Sequence, residues 1–174
     1  MANTYILIAS NTVGSGGAAS VTFSSIPATY TDLVLKASTR SNETTGGSVW
    51  DSLLLRFNGS STSYTDRLLG GDGTSAFSVV NVIPSYFFCG DIPNALVTSN
   101  VFGSTEITIP NYTSANYKSI SSDSVEENNA TTGQLDLTAG LWSNTSAITS
   151  ITLSASVGNL VQYSSFYLYG IKNS

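Results

Sequence analysis

The chain has 174 residues, a net charge of −5 and a pI near 4.3, with 10% charged and 41% hydrophobic residues. That balance excludes a long disordered polymer and fits one domain, residues 1–174, able to bury a core. The six basic residues (Lys36, Arg40, Arg56, Arg67, Lys118 and Lys172) stand singly. No basic stripe exists, so neither nucleic acid nor an anionic membrane is expected as a partner.

In chain order, Thr4–Ser10 (TYILIAS) predicts a first strand, ended by the flexible Val13–Gly17. Ala19–Ser25 alternates Val21 and Phe23 with hydroxyl residues and predicts a second. The two could form a hairpin, either at the edge of a sandwich or, over residues 1–17, as an arm on a neighbouring subunit. Pro27 then turns the chain, and Thr31–Arg40 places Leu33, Leu35 and Ala37 inward. Ser41–Ser48 reads as a loop. Val49–Asn58 sets Leu53, Leu55 and Phe57 on one face and closes with Asn58-Gly59. Tyr64–Leu69 predicts a short strand before Gly70–Gly73. Ala76–Phe88 is apolar but interrupted by Pro84, and reads as a strand followed by a helical turn or irregular cover.

Asp91–Asn94 reads as a turn. Val101–Ile109 places Ile107 and Ile109 inward, with Glu106 and Thr108 outward; Tyr117–Glu127 places Ile120 inward. Gln134–Trp142 alternates Leu135, Leu137, Ala139 and Leu141 with Asp136, Thr138, Gly140 and Trp142. At the C-terminus, Ile151, Leu153 and Ala155 share one side, and Phe166, Leu168 and Gly170 share another. With Gly158-Asn159 between them, they read as an antiparallel pair around which the other strands are laid. Every long apolar repeat has period two, 51 residues are Ser or Thr, and no fixed internal repeat occurs. The expected fold is all-β, an antiparallel two-sheet β-sandwich that is jelly-roll-like.

No histidine is present and Cys89 is the lone cysteine. This excludes Ser-His-Asp and Cys-His sites, His-ligated metals and an internal disulfide, and Cys89 in SYFFCG reads as a buried thiol. Asp66, Asp72, Asp91, Glu106, Asp136 and Glu126-Glu127 are the carboxylates available to acid–base chemistry, but no spacing marks a glycosidase pair. Asp72, and Asp123 beside Glu126-Glu127, lie in stretches that could hold calcium, without a recognised calcium-loop spacing. No catalytic residue, cofactor or metal is expected. Trp50, Tyr64, Tyr112 and Trp142 read as core or subunit-interface packing, or else as an exposed platform for a glycan. The N-terminus lacks the basic and apolar regions of a signal peptide and no stretch reaches membrane-span length, so synthesis in a cytosol without secretion is expected.

The stretches MANTYILIASNTVGSGGAASVTFSSIPATYTDLVLKASTRSN, LLLRFNG with YTDRLLGGDG, ITIPNY with SDSVEENNAT, and ITSITLSAS with FYLYGIK together resemble virion structural proteins of tailed bacteriophages, especially cyanophages. The resemblance implies a structural, non-enzymatic role as a homo-oligomer (trimer or dimer) in the virion, made in the host cytoplasm. Two roles fit it. One is a capsid decoration, or cement, protein bound to the major capsid protein or other virion proteins, with Met1–Gly17 as a candidate contact. The other is a tail-fibre or tail-tip module binding host surface glycans. A glycan depolymerase is disfavoured, since neither a histidine nor a marked acid pair is present.

Overall fold

Alternating side chains and frequent turn residues give twelve strands and no helix among the residues described by the structure, a computed structural model covering 5–45, 47–81, 84–130 and 132–172. They are β1 (Tyr5–Thr12), β2 (Val21–Phe23), β3 (Asp32–Thr39), β4 (Trp50–Phe57), β5 (Tyr64–Gly71), β6 (Ala76–Asn81), β7 (Phe87–Pro93), β8 (Gly103–Ile109), β9 (Lys118–Glu127), β10 (Gly133–Trp142), β11 (Ile151–Ala155) and β12 (Ser165–Ile171). All pairings are antiparallel. One sheet has the order β1-β12-β3-β8-β9-β10-β5-β6 and the other β2-β11-β4-β7.

Set aside β5, β6, β9 and β10, and the remaining eight strands, renumbered in sequence, read 1-8-3-6 and 2-7-4-5. This interleaving, in which successive strands mostly alternate between sheets, is the double Greek key of a jelly roll. The protein is therefore a two-sheet β-sandwich whose larger sheet is extended by four strands.

Several local expectations change. β1 and β2 do not form a hairpin: β1 pairs β12 at the edge of the large sheet, and β2 pairs β11 in the small one. Met1–Thr4, part of the candidate arm, lie outside the described residues. The two C-terminal strands do not pair with each other either. β11 sits between β2 and β4, and β12 between β1 and β3. Ala76–Phe88 contributes β6 and the start of β7, joined through the turn at Pro84 and Ser85. Asp91–Pro93, read as a turn, continues β7 opposite Trp50–Ser52.

The core lies between the sheets. Leu33, Leu35, Ile107, Ile109, Phe166 and Leu168 from the large sheet meet Leu53, Leu55, Phe57, Ile151 and Leu153 from the small one. Asn58-Gly59, both at positive φ, forms the hairpin-type turn expected of that pair. The Asn58 side chain is a hub: its Oδ1 accepts the Thr149 and Ser150 N–H groups at 2.9 and 3.1 Å, and its Nδ2 donates to the Ala147 carbonyl at 2.8 Å. Beyond β8 the large sheet curls around the β7 edge of the small one. Leu68 of β5 then packs on Leu54 and Phe88, which face away from the main core, with Phe77 and Tyr86 alongside. β7 is thus buried on both faces.

Candidate functional site

An edge strand presents unpaired backbone N–H and C=O groups that must find partners once buried. β7 is such an edge, and side chains of the sheet extension supply partners for it. The Phe88 N–H donates to Asp66 Oδ2 at 3.3 Å, and the Asp91 N–H donates to Asp136 Oδ2 at 2.9 Å. The Ser122 hydroxyl donates to the Cys89 carbonyl. Beneath β7 the inner face of the extension therefore carries polar groups: Asp66 from β5, Ser122, Ser124 and Glu126 from β9, and Asp136 and Thr138 from β10 are all buried.

Within this seam three carboxyl groups gather. The Gln134 amide donates to Asp91 Oδ2 at 2.8 Å and to Asp136 Oδ1 and Oδ2 at 3.1 and 3.2 Å, and the Ser52 hydroxyl donates to Asp91 Oδ1 at 2.9 Å. Glu126 lies in the field of both aspartates, and neither of its carboxylate oxygens has a hydrogen-bond partner among the described residues. Burial, reinforced by the Asp136 charge, pushes Asp91 up to about 6. Burial, with Asp136 and Asp91 adding, pushes Glu126 up to about 9. Glu126 is consequently protonated at neutral pH.

Gly90 lets β7 pass over this seam. It stands at the register shift between β4 and β7, with φ of 123°, and a Cβ there would lie 1.9 Å from the Ser124 hydroxyl oxygen. Gly90→Ala is expected to lower stability by about 3 kcal/mol through backbone strain and overpacking. Adding Ser124→Gly should recover only the steric part; urea denaturation of both variants checks this.

Turning the polar residues of β9, β10 and β5 inward sends the alternate set outward. Leu135, Leu137 and Leu69 are 63%, 54% and 57% exposed, and Val125 and Val80 are exposed with them. Cross-strand register sets Val125 beside Leu135, and Leu137 beside Leu69, so they form one apolar patch. On β10 the leucines face outward because the β7 edge requires carboxylates and hydroxyls beneath it. Farther along the same outer face, Lys36 pairs with Glu106 at 2.6 Å, and the surface is polar.

Of the two readings of the four aromatics, core packing is the one that three of them take. Tyr64 and Trp142 are buried and pack with Phe57, their ring centroids 5.4–6.3 Å apart. The Tyr64 hydroxyl accepts the Phe57 N–H at 2.7 Å. Tyr112 is also buried, its hydroxyl donating to the Pro27 carbonyl. Trp50 is half-buried at the start of β4. The four do not converge.

Of the candidate acids, the fold gathers Asp91, Glu126 and Asp136. Asp72 instead accepts the Thr74 and Ser75 N–H groups within its own turn, and Asp123 is on the outer face. Among the described residues no group of three or more Asp, Glu, His or Cys side chains is placed to hold a metal ion. Cys89 is buried, and burial pushes its thiol up.

The carboxyl seam supports the β7 edge: Asp136 and Glu126 are buried, and Asp91 and Gln134 are half-buried at its margin. The apolar patch, by contrast, is exposed on the outer face of the extension. Its residues were visible in sequence as the clean alternation of β10, but not the direction in which they point. Among the described residues no helix is long and apolar enough to cross a membrane. No protein-family model and no curated protein matches the chain.

Proposed function

We propose that the protein is a structural component of a tailed-bacteriophage particle, specifically a decoration protein on the outer capsid surface that reinforces the major capsid lattice. One observation carries this reading: the outer face of the sheet extension exposes a patch of Leu69, Val125, Leu135 and Leu137, which another protein surface would cover. The jelly roll is common among viral coat domains, although the fold also serves other functions. The sequence resemblance to virion proteins, the hydroxyl-rich acidic surface and the absence of histidine point the same way. The alternative, a tail module binding host glycans, loses Tyr64, Tyr112 and Trp142 as stacking surfaces.

Electron cryo-microscopy of purified particles tests the proposal. Hundreds of copies following the capsid lattice are expected. A handful of copies at the tail tip would transfer the role to receptor binding, and absence from the particle would overturn it.

A further inference from the structure

The partner of the apolar patch can be named from the charges that flank it. On the outer face, Leu135 and Leu137 run along β10. Asp123 of β9 lies beside Leu137 on one side, and Arg67 of β5 lies beside Ala139 on the other. Neither charge is in an ion pair among the described residues; the Arg67 guanidinium donates only to the neighbouring Asp66 carbonyl, at 2.8 Å. An apolar strip with an unpaired acid on one flank and an unpaired base on the other is self-complementary. Place a two-fold axis parallel to β10 between two facing copies. Each copy's β9 then lies over the other's β5, and Leu135 and Leu137 meet their own counterparts. Asp123 comes within one row of Arg67 at two symmetry-related places. Rows on one sheet face are ~6.8 Å apart, within reach of an extended arginine.

We propose that two copies of this chain associate face to face through the outer surface of β9, β10 and β5, joined by the Leu135–Leu137 strip and by reciprocal Asp123–Arg67 pairs. The inference rests on reading the patch as a protein contact and names the occupant as a second copy. Three strands, β9, β10 and β5, at ~4.8 Å, and three rows give a footprint of roughly 300 Å². This is below the ~800 Å² per partner of a standard interface, so the dimer is expected to be concentration-dependent, in the micromolar range.

Sedimentation velocity of the purified chain from about 1 to about 200 µM tests it. The wild type is expected to shift from monomer to dimer, and Leu137→Asp to remain monomeric while still unfolding cooperatively, at a somewhat lower urea midpoint because the new carboxylate stands across from Asp123. Arg67→Asp and Asp123→Arg should each weaken dimerisation about fivefold, through two exposed ion pairs per dimer. The double variant should recover most of that loss. A wild type that stays monomeric overturns the proposal, as does a dimer indifferent to Leu137→Asp or a double variant that restores nothing. The virion role is tested separately by particle imaging: a monomer found on capsids would leave that role standing, with the patch covered by a different virion protein.

Discussion

Trp142→Ala is expected to cost about 4 kcal/mol, the range for removing a large aromatic from a packed core. For a chain of this length that lowers the melting temperature by roughly 10–15 °C. Trp142 closes the far end of β10 against Phe57 and Tyr64, where the two sheets meet. Its indole N–H is buried without a hydrogen-bond acceptor among the described residues, which carries its own penalty. Trp142→Phe is therefore expected to cost much less, about 1 kcal/mol, because the lost volume is offset by removal of the unpaired donor. Trp50→Ala, at a half-buried strand end, should stay within about 1 kcal/mol. Urea denaturation of the three variants gives the ranking; a Trp50 effect equal to that of Trp142 would contradict the placement of these aromatics.

Stability is expected to fall as pH rises from 5 to 8. Asp91 and Glu126 bind protons more tightly in the folded chain than in the unfolded one. Their contribution is complete below the unfolded carboxyl pKa near 4 and is lost as pH climbs to the folded values, about 6 for Asp91 and about 9 for Glu126. At about 1.4 kcal/mol for each pH unit between the two states, Asp91 alone removes about 3 kcal/mol across its window. Asp51, also raised by burial, acts in the same direction. No basic side chain is ion-paired with Asp91, Glu126 or Asp136 among the described residues to reverse the sign. Burial lowers Arg40 and Lys118 as well. Glu126→Gln should flatten the profile and leave the variant more stable than the wild type at pH 8. Urea midpoints at pH 5, 6.5 and 8, above the isoelectric point near 4.3, measure it. A midpoint that rises with pH would show that these carboxyls are ionised and stabilised in the fold.

The carboxyl seam and the apolar patch follow from one structural decision, and local sequence could not contain it. Alternation along Gln134–Trp142 says that Leu135 and Leu137 share a face and that Asp136 and Thr138 share the other. It does not say which face another layer will cover. For β3, β4, β8, β11 and β12 the usual assumption, apolar inward, holds because each lies over the hydrophobic layer between the sheets. For β10 it fails because the surface beneath is the edge of β7, and the Asp91 N–H needs an acceptor more than it needs a methyl group. Gln134, Ser52 and Glu126 are separated by tens of residues from Asp91, and only the curl of the large sheet brings them to it. Gly158-Asn159 misleads in a related way, since a turn signal marks where a strand ends and not whether the chain rejoins the same sheet.

The sequence by itself determined where strands form and stop, and which side chains share a face, because pleat geometry and turn chemistry act over a few residues. It also determined that hydroxyls rather than charges dominate the surface, and that no histidine chemistry is available. Only the tertiary structure decided which strands become neighbours, that the large sheet continues past the sandwich and around its edge, and that the leucines of β10 face outward. Those outcomes depend on hydrogen-bonding the exposed edge of β7, a requirement that exists only once the small sheet has been assembled.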